Sequence, residues 1–152
     1  MKPFFILLAT FAASILLNKI FSDNYRIIFS GTLALCVMLL FTSIAHFIYA
    51  KGMAMMLPPF VPFKHAVVYL TGVLEVGFAI AFMFPPYRIY TAWLLIAFLI
   101  LVLPANIYAS VKQVNYSNAT YTGNGLSYLW FRMPMQLLLI WWAWFFGIYL
   151  AA

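Results

Sequence analysis

The stretch Tyr69-Leu70-Thr71-Gly72-Val73-Leu74-Glu75-Val76-Gly77 places the only glutamate of the chain in the middle of an apolar run. How that carboxylate is housed decides the architecture. The one other acid, Asp23, lies in a short polar break, so Glu75 has no second carboxylate near it in sequence. An ionisable group inside a bilayer-length helix costs roughly 2.5 to 3.5 kcal/mol on insertion scales, so such groups face a protein interior or a water-filled cavity. The residues around Glu75 are therefore expected to compensate it.

Hydrophobic residues make up 68% of the chain, charged residues 7%, and the mean hydropathy is +1.06. That is more apolar surface than a soluble domain can bury, and lipid must be part of the solvent. The chain reads as an all-α, multi-pass membrane protein forming a single domain over residues 1–152. Its formal charge of +6 comes from eight Lys and Arg spread singly along the chain, a pattern of flank anchoring that excludes a nucleic-acid patch. The lone Cys36 excludes an intrachain disulfide and a Cys-x-x-Cys redox motif. No nucleotide, flavin or iron–sulfur signature is present.

Working outward from Glu75, its helix is predicted over about 66–84 and ends at Pro85-Pro86, which remove backbone donors. Upstream, about 4–20 and 27–50 form two further spans, separated by Ser22-Asp23-Asn24. The first has the basic flank and apolar core of a signal peptide, but no small-x-small cleavage site follows it, which favours a retained helix. The connection Gly52 to Phe63, with Pro58, Pro59 and Pro62, is too proline-rich for a continuous helix and too apolar for a solvated loop, so it lies in the interface or over a pocket. Downstream, 88–111 forms a helix with an expected kink at Pro104, and 112–127 is the clear polar loop. Its two Asn-x-Ser/Thr triplets at Asn115 and Asn118 are frequent by chance. The last helix, about 128–150, carries Trp130, Trp141, Trp142 and Trp144, read as interface anchors or packing. An N-terminus inside puts Lys2, Lys51, Lys64, Lys112 and Arg132 on the cytoplasmic side, against Lys19, Arg26 and Arg88 outside.

Alternating helix directions bring the polar residues together whichever way the protein inserts. His46 lies near the end of the second span, Glu75 about 14 Å into the third, Asn106 near the end of the fourth, and Arg132 and Gln136 in the first turns of the fifth. All five fall in one half of the membrane. Thr42, Ser43 and His46 share a helix face, as do Thr71, Gly72 and Glu75, and Arg132 and Gln136. The expected pocket has Glu75 deepest, Arg132 as its charge partner, and Thr42, Thr71, His46 and Asn106 around it; a buried carboxylate stays ionised only beside a cation and donors.

Plainer readings stand beside this one. Glu75 can serve as a structural ion pair fixing helix register, and His46 as a satisfied helix-end histidine. Arg132 can snorkel to headgroups, and Asn106 can cap the backbone freed by Pro104. Metal or haem ligation is disfavoured, because His65 is the only other histidine.

Ala45-His46-Phe47, Met56-Leu57-Pro58-Pro59-Phe60-Val61-Pro62, Val68 to Glu75, Leu103-Pro104-Ala105-Asn106-Ile107-Tyr108 and Leu129 to Gln136 together resemble the DoxX-like family of small bacterial membrane proteins. The resemblance spans about Ile27 to Leu150. It implies a four-helix core with the segment Phe4 to Leu17 as an added N-terminal helix, five in all, in a bacterial inner membrane. Its motifs fall on His46, Glu75, Asn106, Arg132 and Gln136. Some relatives are linked to a thiosulfate-to-quinone oxidoreductase and others to oxidative-stress membrane complexes, which implies a redox-associated subunit with quinone as ligand and a cofactor-bearing partner.

Three functions compete at this point. One is a subunit binding a quinone or similar small apolar molecule, one a small-molecule or lipid transporter or binding module, and one a purely structural subunit of a membrane complex. The partners expected are the lipid bilayer, a membrane or redox subunit, or a second copy of the chain.

Overall fold

Within lipid, each backbone N–H and C=O has to be satisfied inside its own segment, so apolar runs of membrane length wind into helices. The structure, a computed structural model, describes residues 2–22 and 25–151. It is an all-α bundle in which five helical stretches are long and apolar enough to cross a membrane. Helix α1 spans Lys2–Ser22, α2 Ile27–Ile48, α3 Ala50–Ala54, α4 Lys64–Met83, α5 Arg88–Val111 and α6 Leu126–Trp144. The expected turn at Asp23-Asn24 lies outside the described residues.

Several boundaries differ from those read in the sequence. The second span stops at Ile48 and not at 50; after a turn at Tyr49 the chain resumes as the five-residue α3, so helical structure reaches Ala54. Gly52 on α3 admits the following loop: a Cβ there would lie 1.9 Å from the Tyr116 carbonyl oxygen, so the 112–125 loop packs directly onto backbone. Helical structure ends at Ala54, ahead of the prolines, and Phe63 takes a left-handed conformation (φ 49°) before α4 begins. The third span starts at Lys64, two residues earlier than 66. Pro85–Tyr87 forms a 3₁₀ turn, and Arg88 Nε donates to the Phe82 carbonyl at 3.3 Å, serving an end that α4 leaves open. Neither Pro104 nor Pro134 interrupts its helix.

The last span begins at Leu126, not 128, and after Trp144 widens into a π-helical turn over Phe145–Tyr149. Gly147 lies in that turn where a Cβ would meet the Ala92 Cβ at 2.5 Å, so the backbone of this end is pressed against α5. Trp142 and Phe146 turn inward with Leu35, Met38, Phe82 and Leu95 to make the core, and Trp142 Nε1 donates to the Gly31 carbonyl at 3.0 Å. Trp130 points the other way and is 84% exposed, as a lipid- or interface-facing ring would be.

The packing order positions the site. α4 packs most extensively on α2, α1 on the other side of α2, and α5 on α6. α1 joins the bundle through Leu7, which is fully buried, and through Ser14 Oγ, which donates to Ser30 Oγ at 3.0 Å. Phe11 meets the edges of the Trp142 and Phe146 rings.

Candidate functional site

Small side chains let α2 and α4 approach closely enough for side chain to reach backbone. Gly72 is in contact range of the His46 Cβ, and Ser43 Oγ donates to the Gly72 carbonyl at 2.9 Å. Around this pair the residues expected to share faces form one ladder. Thr42 Oγ1 donates to Glu75 Oε2 at 2.8 Å, and His46 Nε2 lies 3.4 Å from Glu75 Oε1. On the other edge of the imidazole, Nδ1 is 3.2 Å from the Val68 carbonyl oxygen and 3.0 Å from Thr71 Oγ1. Thr71 in turn donates to the Val68 carbonyl at 2.8 Å. Apart from that bond within α4, every rung joins a turn of α2 to a turn of α4.

These contacts constrain the proton. Nδ1 of His46 can donate to the Val68 carbonyl, which only accepts, or accept from the Thr71 hydroxyl, so either tautomer fits this edge of the ring. Nε2 faces Glu75 either as a donor to a carboxylate or as a lone pair opposite a protonated carboxyl. Both arrangements hold one proton between Nε2 and Oε1. Thr42 adjusts to either, because its single hydroxyl hydrogen has two acceptors in reach, Glu75 Oε2 and the Leu39 carbonyl at 3.0 Å. The seam is chemically a one-proton site with a rotating hydroxyl beside it. His46 keeps 19% of its side chain exposed and Glu75 11%, so the pair is close to the surface of the bundle without being open to it.

The remaining expected members lie elsewhere. Asn106 and Gln136 are buried at the α5–α6 seam, where Asn106 Nδ2 donates to Gln136 Oε1 at 3.1 Å and Gln136 Nε2 donates to the Leu99 carbonyl. That carbonyl neighbours Ile100, whose own partner is removed by Pro104. The backbone near the proline is thus served by Gln136 and not, as the sequence suggested, by Asn106. Arg132 is not the partner of Glu75. Its Nη1 donates to the Tyr128 hydroxyl at 3.4 Å, its guanidinium lies 5.4 Å from the centre of the Tyr128 ring, and it lines a cavity with Tyr116 and Asn124 of the 112–125 loop. The side chain that faces Glu75 is His46, which lies in the last turn of α2, the helix-end position expected of it.

The shared depth of the five residues therefore resolves into three separate clusters. Depth along a helix is set by residue count, whereas the face is set by which neighbours pack, and α6 pairs with α5 while α4 pairs with α2. The acceptors that orient His46 and Gln136 are backbone carbonyls of Val68 and Leu99, which carry no side-chain signal. Gly72 was visible as a small residue on the Glu75 face, but its close approach to His46 was not. Among the described residues, no group of three or more His, Cys, Asp or Glu could hold a metal ion.

Compared with known proteins, residues 35–147 match the sequence model of one family, described as "Domain of unknown function (DUF8561)". The matched stretch contains all three clusters and leaves α1 outside. Neither the curated proteins nor the solved structures yield a match.

Proposed function

The chain belongs to that family, DUF8561, and we propose that it is a polytopic membrane subunit whose α2–α4 seam binds the oxygen-bearing head of a small, partly apolar molecule, a quinone by preference. In this reading the seam exchanges one proton with the bound oxygen. The observation that carries it is the slack between His46 and Glu75. Their 3.4 Å separation exceeds the roughly 2.7 to 2.9 Å of a tight charge-assisted bond. A carbonyl oxygen approaching the edge of the imidazole can accept from Nε2 without first breaking a short bond. Glu75 then holds or returns the proton, and Thr42 turns to follow its charge. Electrons for any reduction come from a cofactor-bearing partner, since this chain supplies the proton only.

The motifs shared with the DoxX-like family support a redox association and a bacterial inner membrane. Five basic residues on the side of the N-terminus, against three on the other, support an N-in orientation. One observation favours a structural role instead: among the described residues, every buried side-chain nitrogen and oxygen has a hydrogen-bond partner, so the seam is complete without a ligand.

Thermal unfolding in detergent with a saturating short-chain benzoquinone separates the two readings. Ligand binding raises the midpoint of the wild type by several degrees, and the shift disappears in Glu75→Gln, which preserves the fold. No shift in the wild type leaves the structural role.

A further inference from the structure

Arg132 sits six residues into α6, about 9 Å along its axis from Leu126. It lines a cavity of about 130 Å³ with Met56, Tyr116, Asn124 and Tyr128. A guanidinium presents five N–H donors in a rigid fork. Among the described residues, the hydrogen-bond partner of Arg132 is Tyr128 Oη, at the long distance of 3.4 Å. Most of that donor capacity is unspent.

Among the described residues, no carboxylate is placed to spend it. The sequence holds two acids. Glu75 is engaged by His46 and Thr42 on the α2–α4 seam. Asp23, between α1 and α2 in sequence, lies outside the described residues. Nor does the cavity lining include an acid; besides Arg132, its polar members are hydroxyls, amides and backbone of α5, the 112–125 loop and α6. Burial raises the Tyr116 pKa above the ordinary tyrosine value, with the neighbouring Tyr128 adding to the rise, so that hydroxyl stays a donor well past neutral pH. Among the described residues, none supplies a counter-ion to Arg132.

We propose that this cavity is a phosphate-binding site in which Arg132 grips two oxyanion oxygens and the Tyr128 and Tyr116 hydroxyls and Asn124 amide complete the shell. The phosphate is that of an anionic lipid headgroup or of a free small molecule. Size fits this choice: a cavity of about 130 Å³ holds roughly four waters' worth of volume, enough for a phosphate group. Planar, bidentate donors suit arginine where lysine would serve as a point charge only. The site is separate from the α2–α4 seam and does not depend on the quinone reading.

The test uses the full chain in a neutral detergent with two probes, inorganic phosphate followed by thermal shift and phosphatidylglycerol followed by native mass spectrometry. At least one probe binds the wild type, and Arg132→Gln weakens it about tenfold or more, the equivalent of one lost charge-assisted bond. Tyr128→Phe, which leaves the cation in place, weakens it by a smaller factor, and Glu75→Gln leaves it unchanged. Binding of phosphate alone assigns a soluble ligand; retention of phosphatidylglycerol alone assigns a headgroup. The proposal is overturned if neither probe binds, or if binding is indifferent to both Arg132→Gln and Tyr128→Phe. Should Arg132→Gln not fold, Tyr128→Phe and Asn124→Ala carry the same decision.

Discussion

Replacing Gly72 by alanine tests whether the α2–α4 seam is as tight as its geometry indicates. The new Cβ would lie 2.8 Å from the His46 Cβ and 3.3 Å from the Phe47 ring. Carbon atoms settle at about 3.5 to 4.0 Å, so the two helices must part by roughly 0.7 Å or more at this level. Both Cβ atoms are fixed to backbone, and no rotamer change relieves the clash. Parting of that size stretches the Ser43 to Gly72 bond from 2.9 Å and the His46 to Val68 bond from 3.2 Å beyond useful range. Overpacking costs about 1 to 3 kcal/mol. Each lost interhelical bond adds about 0.6 kcal/mol in a membrane protein, while the better helix propensity of alanine returns up to about 1 kcal/mol. The expected net loss is about 1 to 3 kcal/mol. Gly77→Ala is the control on the same helix, because a Cβ there meets nothing within 4 Å; it should be neutral or stabilising by up to about 1 kcal/mol. Reversible unfolding of the purified protein in mixed micelles with increasing SDS, followed by tryptophan fluorescence, measures both. Equal midpoints for Gly72→Ala and Gly77→Ala would refute the close approach and with it the seam.

Three further substitutions probe the polar clusters by the same assay. Glu75→Gln can donate its amide to a neutral His46 Nε2 and still accept from Thr42, so it should stay within about 1 kcal/mol of wild type, whereas Glu75→Leu strands both partners and costs about 1 to 3 kcal/mol; equal losses would mean that the seam requires a full charge on residue 75. Gln136→Leu removes the acceptor of the buried Asn106 amide and a donor to the Leu99 carbonyl, with an expected loss of about 1 to 3 kcal/mol, and an unchanged midpoint would show that the α5–α6 seam holds without them.

Membrane class and the number of spans follow from the sequence, because hydrocarbon leaves a 20-residue apolar run no choice but a helix that satisfies its own backbone. Pro85-Pro86 and the polar 112–127 stretch mark connections for equally local reasons, and α5 occupies Arg88–Val111 as read. Residue counting also put His46, Glu75, Asn106, Arg132 and Gln136 in one half of the membrane. It could not say which of them touch. Only packing decided that Glu75 belongs to His46 and Thr42, that Gln136 holds Asn106, and that Arg132 turns away to Tyr128 and the loop. The reason is physical: depth depends on rise per residue, a local quantity, whereas partnership depends on which faces meet across a seam, and that was fixed by Gly72, by Gly52 under the Tyr116 carbonyl, and by backbone acceptors that leave no mark in the residue string.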